Sequence, residues 1–161
     1  RCKDRRQLQL DHPPSFLLRE AEFHSDPESA KYSYSTFLGI TIQYEMCYTN
    51  ILQVLDLSQI PMYAKDRTAD DPIVIGGGPC TYNPEPLAQF FDIFYIGEGE
   101  TVYFQLLDLY KEERAKGSSR MEFLKKAAQI PGLYVPALYE VCYKEDGTIA
   151  GFQPVYEDIP T

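Results

Sequence analysis

The stretch Ile73–Glu100, IVIGGGPCTYNPEPLAQFFDIFYIGEGE, decides the fold. Two strand-like runs stand in it, Ile73-Val74-Ile75 and Asp92–Ile96 (DIFYI). Gly76-Gly77-Gly78-Pro79 follows the first and Gly97-Glu98-Gly99-Glu100 the second. Short β-branched or aromatic runs bounded by turn residues read as buried strands. Pro84–Phe90 reads as a short helix between them, with Pro84 in the first turn, where a missing N–H costs little. Strand, helix and strand make a crossover unit, and such units build parallel sheets.

The same alternation continues on both sides. Upstream, Thr36–Ile42 (TFLGITI) is apolar and β-branched, a further strand. Tyr44–Leu57 follows as a helix with Met46, Cys47, Ile51, Leu52, Val54 and Leu55 on its apolar face, and Pro61 closes that unit. Downstream, Thr101–Lys116 reads as the clearest helix, with Val102, Leu106, Leu109 and Tyr110 on one stripe and Gly117 as its stop. Ser119 and Glu122 form a capping box for a helix over Arg120–Gln129. Leu138–Tyr143 and Thr148–Val155 flank Glu145-Asp146-Gly147, a hairpin signal. The expected fold class is α/β, a Rossmann-like parallel sheet with helices on both faces plus a C-terminal β-hairpin. Three strands are fewer than a doubly wound sheet carries, so a first strand–helix unit is expected to lie upstream of Arg1 or to be lost. Residues 1–35 read as a polar segment with a short helix at Ser15–Glu22, 36–130 as the α/β domain, and 131–161 as hairpin and linker.

Composition narrows the function. A formal net charge of −9 argues against broad nucleic-acid binding, which needs Lys and Arg to displace counterions. Arg1, Lys3, Arg5 and Arg6 cluster locally and read as a solvated terminus. No apolar run approaches the roughly 18–20 residues of a membrane span, and the charged start is unlike a signal peptide. Cys2, Cys47, Cys80 and Cys142 are far apart in sequence, without the spacing of zinc or cluster ligands, so reduced thiols in the cytoplasm are expected. The start at Arg1 and the end just after Pro160 read as cuts through a longer polypeptide.

Parallel sheets bind ligands beyond the carboxyl ends of their strands. The three strands end there in Gln43-Tyr44-Glu45, Gly76-Gly77-Gly78-Pro79 and Gly97-Glu98-Gly99-Glu100. Glycines at such ends let a backbone approach a ligand or turn at positive φ. Neither loop is a dinucleotide fingerprint, because Val102 stands where the third glycine belongs, and neither carries a phosphate-loop Gly-Lys-Ser/Thr. Nicotinamide, flavin dinucleotides and nucleoside triphosphates are therefore not expected. Glu98 and Glu100 offer a carboxylate pair for acid–base work, but a helix N-terminus favours glutamates through its macrodipole alone, and that reading is the stronger. His12 and His24 fall in the polar opening segment, and Tyr44, Tyr48, Tyr103, Tyr110, Tyr134 and Tyr139 read as packing. No catalytic residue and no metal-ligand set is expected in this chain.

Pro72–Glu100 resembles the cobalamin-binding domains that precede radical S-adenosylmethionine (SAM) cores. Those domains show an apolar strand, Gly-Gly-x-x, a short Pro-Glu-containing helix and an Asp-led strand ending Gly-Glu-Gly-Glu. Together with Leu38–Pro61 and Ile130–Tyr139, this stretch makes the chain similar to an uncharacterised bacterial radical SAM family, in which the domain lies N-terminal to the catalytic barrel. The resemblance implies a cobalamin-binding or flavodoxin-like fold. It also implies a downstream C-x-x-x-C-x-x-C segment for a [4Fe–4S] cluster that cleaves SAM, and none of those cysteines is in this chain. Cobalamin is the implied cofactor, lined by Gln43, Tyr44, Glu45, Gly76, Gly77, Gly78, Pro79, Gly97, Glu98, Gly99 and Glu100. The D-x-H-x-x-G motif for the lower cobalt ligand is absent: Asp11 and His12 are adjacent, and Glu22-x-His24 is followed by Pro27 where glycine would stand. The expectation is an accessory domain, silent alone, whose partner is the radical SAM core of the same polypeptide. The alternative is a docking or substrate-presenting module without cofactor.

Overall fold

The computed structural model describes residues 36–97 and 99–160. The helix expected at Ser15–Glu22, the basic cluster from Arg1 to Arg6, both histidines, Cys2 and Glu98 lie outside those residues. Strands β1 (Phe37–Thr41), β2 (Ile73–Gly77) and β3 (Ile93–Tyr95) run parallel in that spatial order. Phe37 pairs with Ile73, Thr41 with Gly77, and Ile75 with Ile93. A fourth strand, β4 (Leu133–Tyr134), joins β3 antiparallel through Phe94 and Tyr134. The sequence predicts no strand there, because two residues set between Pro131-Gly132 and Pro136 are too few to show a period.

Side chains alternate across the sheet with period two, and both faces are covered, as expected of parallel strands. Leu38, Val74 and Phe94 point to one face and pack with Ile51 and Leu55 of α1 (Tyr48–Leu57) and with Leu87 and Phe91. Ile73, Ile93 and Leu133 point to the other and meet α2 (Gly99–Lys116) and α3 (Arg120–Ala127) through Leu106, Phe123, Leu124 and Ala127. Both parallel crossovers thus lie on the α1 face, while α2 and α3 fill the opposite one.

Local signals explain the boundaries. The helix expected from Tyr44 begins as a 3-10 turn at Glu45–Cys47 before α1. The helix expected over Pro84–Phe90 shrinks to a 3-10 turn at Glu85–Leu87, in which the N–H groups of Leu87, Ala88 and Phe90 donate to the carbonyls of Pro84, Glu85 and Leu87. Helix α2 starts at Gly99, two residues before the expected Thr101. It ends where the sequence places its stop: Gly117 has φ 73°, and the N–H groups of Ser118 and Gly117 donate to the carbonyls of Glu113 and Arg114. The predicted capping box forms, with the Ser119 N–H on Glu122 Oε2 at 2.7 Å and the Glu122 N–H on Ser119 Oγ at 3.3 Å. The hairpin β5 (Tyr139–Tyr143) and β6 (Ile149–Pro154) is a separate two-stranded sheet, turning at Gly147 with φ 81°.

The amino ends of the strands are fastened by one carboxylate. Asp92 Oδ2 accepts from Arg67 Nη1 at 2.8 Å and from the Val74 N–H at 2.8 Å, and forms an ion pair with Arg120 Nη2 at 3.0 Å. Arg67 also donates to the carbonyls of Pro61, Met62 and Phe90, and Arg120 to those of Thr68, Asp71 and Pro72. Burial pulls the Arg67 guanidinium below its ordinary value, and Asp92 opposes that shift. This network stands at the opposite end of the sheet from the glycine loops, so it holds the fold rather than the site.

Candidate functional site

The carboxyl ends of β1, β2 and β3 bring the predicted loops to one edge. The Ile42 N–H donates to the Gly77 carbonyl at 2.7 Å, and the Cys80 N–H donates to the Ile42 carbonyl at 3.1 Å. The loop after β1, which carries Gln43, Tyr44 and Glu45, is thereby stitched to the loop after β2. Thr81 stitches the second loop to the third strand: its buried Oγ lies 2.8 Å from the Gly78 carbonyl and 3.0 Å from the Tyr95 carbonyl. Thr81 is not among the predicted site residues, because a threonine in a turn carries no signal of what its hydroxyl reaches.

The three consecutive glycines have three different explanations. A Cβ on Gly76 would stand 2.8 Å from the Phe94 ring and 3.1 Å from Ile42 Cδ1, so the α1-face core excludes any side chain there. Gly78 has φ 99°, and its Cβ would stand 2.9 Å from the Ile42 carbonyl oxygen. A Cβ on Gly77 would meet nothing within 4 Å. Packing accounts for Gly76 and Gly78; it does not account for Gly77.

Gly77 borders an apolar groove of about 420 Å3 between the sheet and α2. Gly39, Thr41 and Ile75 form its floor, Val102 and Phe104 its α2 wall, and among the described residues no charged side chain lines it. Gly77 and Gly78 line this groove; Gln43, Tyr44, Glu45, Pro79 and Gly97 do not. Gly97 turns at φ 124° beyond β3, and Gly99 and Glu100 form the start of α2. The fold also brings together what the sequence separates: Cys47 and Glu45 act electrostatically on the Cys80 thiol, which burial first of all pushes up. A thiol held protonated in this way is a poor nucleophile. Among the described residues no group of three or more His, Cys, Asp or Glu side chains is placed to hold a metal ion, and no helix is long and apolar enough to cross a membrane.

Fold and site together define the class: a mostly parallel α/β domain whose glycine loops gather at one sheet edge beside an apolar groove. The sequence profile described as radical SAM proteins, N-terminal, matches residues 19–136, and the chain belongs to that family. It is therefore an N-terminal domain of the radical SAM kind. A Methanocaldococcus jannaschii protein, uncharacterized protein MJ0966, is 39% identical over 64 residues, which are 38% of this chain and 12% of that relative. The chain thus spans only a small part of the relative it matches. No solved structure matches it significantly.

Proposed function

We propose that this domain serves a radical SAM enzyme by holding cobalamin, or the remnant of a cobalamin site, at its strand-end edge, next to a [4Fe–4S]/SAM barrel in the same polypeptide. One observation carries the reading. Of the three consecutive glycines, Gly77 is the one that packing leaves unexplained, and it faces open space at the edge where parallel sheets bind ligands.

The residues present fit cobalamin in part. Gly77 and the groove provide a backbone surface and an apolar wall, and Gln43, Tyr44 and Glu45 stand on the neighbouring loop. Both histidines of the sequence, His12 and His24, belong to the opening segment, and neither stands in a D-x-H-x-x-G motif. The domain's part is then to seat the corrin or its nucleotide tail and shield it from water without ligating cobalt through that motif. Cobalamin, when bound, supplies the cobalt chemistry itself. The four cysteines lack the C-x-x-x-C-x-x-C spacing, so cluster and SAM fall to the barrel.

A second reading, a docking module without cofactor, draws support from the absence of charge among the described residues that line the groove and from the packing roles of Gly76 and Gly78. Titration of the full polypeptide with hydroxocobalamin, followed by absorbance and calorimetry, separates the two. Saturable binding that Gly77→Leu weakens tenfold or more supports the cofactor reading. No binding overturns the holding of cobalamin and leaves a remnant site or a docking module.

A further inference from the structure

We infer that the cavity on the α1 face, between the turn after α1 and the hairpin, binds a free α-amino acid with an aromatic side chain, its ammonium on Glu85 and its carboxylate on Lys65. The inference is independent of the cobalamin reading, because this cavity shares no residue with the glycine edge or with the groove beside α2.

The walls suit a flat apolar group. The cavity holds about 320 Å3, at the small end of the roughly 300–1,000 Å3 of small-molecule sites. Tyr63, Phe91, Tyr134 and Tyr139 line it. Phe91 belongs to the α1-face core, and the Tyr134 and Tyr139 rings stand 5.4 Å apart. Tyr63 stacks on Phe90 at 5.4 Å. Aromatic rings held in this way receive another ring edge-on or offset. Every hydrogen bond, ion pair and ring contact of these lining residues is made to a described residue.

The charges decide the ligand. Lys65 and Glu85 line the same cavity, yet among the described residues neither has an ion-pair partner. Lys65 Nζ lies 5.6 Å from the centre of the Tyr63 ring. Glu85 Oε1 accepts from the Tyr134 hydroxyl at 2.7 Å. Burial first, and then that bond, push the Tyr134 phenol well above its ordinary value, so it remains a donor and holds the carboxylate in place. A neutral acceptor would serve a tyrosine hydroxyl as well, without drawing a charge partly out of water. The packing therefore gives no reason for the charge of Glu85, and its Oε2 accepts no hydrogen bond from a described residue. Opposite charges that line one cavity without meeting leave a gap that a ligand carrying both charges closes. A lone cation would be opposed by Lys65 and a lone anion by Glu85. An α-amino acid carries both charges on adjacent carbons and projects its side chain away from them, here toward the rings.

The test is calorimetric titration of the full polypeptide with L-phenylalanine, with phenylalaninamide, which lacks the carboxylate, and with hydrocinnamate, which lacks the ammonium. Saturable binding of L-phenylalanine, at least tenfold tighter than that of either analogue, is expected. Glu85→Gln and Lys65→Met should each weaken L-phenylalanine at least tenfold. The first should leave hydrocinnamate within about twofold and the second phenylalaninamide, because each analogue already lacks the group that the altered residue holds. Lys65 is exposed, so its variant keeps the fold and decides the matter if Glu85→Gln does not fold. No saturable binding of L-phenylalanine, equal binding of the three probes, or full affinity in a folded variant overturns the inference.

Discussion

Replacing Asp92 with alanine should nearly unfold the domain. Its Oδ2 accepts from Arg67 and the Val74 N–H and pairs ionically with Arg120, and the side chains of Asp92 and Arg67 are 2% and 0% exposed. Removing one member of a buried ion pair costs about 3–5 kcal/mol, because the other charge stays buried. The Val74 N–H also loses its acceptor, which alone costs about 1–3 kcal/mol. Arg67 keeps three carbonyl acceptors, so the terms overlap and the sum is about 4–6 kcal/mol. Domains of this size are stable by only about 5–15 kcal/mol. With a urea slope of about 2 kcal/mol per molar, the midpoint followed by circular dichroism should fall by about 2–3 M. Asp92→Asn, which retains an oxygen for Val74, should lose about 1–3 kcal/mol less. A fall of less than about 0.5 M for Asp92→Ala would refute the reasoning, since it would mean that Arg67 reaches water or another anion once the carboxylate is gone.

Other perturbations separate fold from site. Gly76→Ala forces a methyl against the Phe94 ring, itself packed by Phe91 at 4.8 Å, and should cost about 1–3 kcal/mol in the same urea assay. Gly78→Ala, strained at φ 99° and crowded by the Ile42 carbonyl, should cost about 1–3 kcal/mol, whereas Gly77→Ala should stay within about 0.5 kcal/mol of the parent; equal losses at all three would void the distinction. Glu113 is held down to about 2 by hydrogen bonds from Lys116, Lys126 and Ser118. A depressed carboxylate stabilises the fold above its unfolded value near 4.5 and loses that contribution as pH falls toward 2. Urea midpoints measured between pH 5 and 2 should therefore fall less steeply in Glu113→Gln than in the parent, and identical slopes would contradict the network.

Strong local patterns carried most of the fold into the sequence. The runs of β1 to β3, the Ser119–Glu122 box, the Gly117 stop and the Asp146-Gly147 turn each state their structure within a few residues. What stays hidden depends on distant partners. Strand β4 is visible only through its pairing with Phe94, and the Asp92 network joins residues 25 and 18 positions apart. The glycine edge is legible as an edge, but three adjacent glycines look alike in a sequence. Only Phe94, Ile42 and the empty space beside Gly77 distinguish them. The groove is hidden for the same reason: Gly39, Thr41, Gly77 and Phe104 come from three elements and share no motif.

The proposed ligand face of this radical SAM N-terminal domain is the edge formed by Gln43–Glu45 and Gly76–Gly78. Peptide-resolved hydrogen exchange of the full polypeptide, with and without hydroxocobalamin, tests it most directly. Slower exchange in both loops and no change in the β5–β6 hairpin are expected. Protection spread over the hairpin, or none in the two loops at saturating ligand, would contradict it.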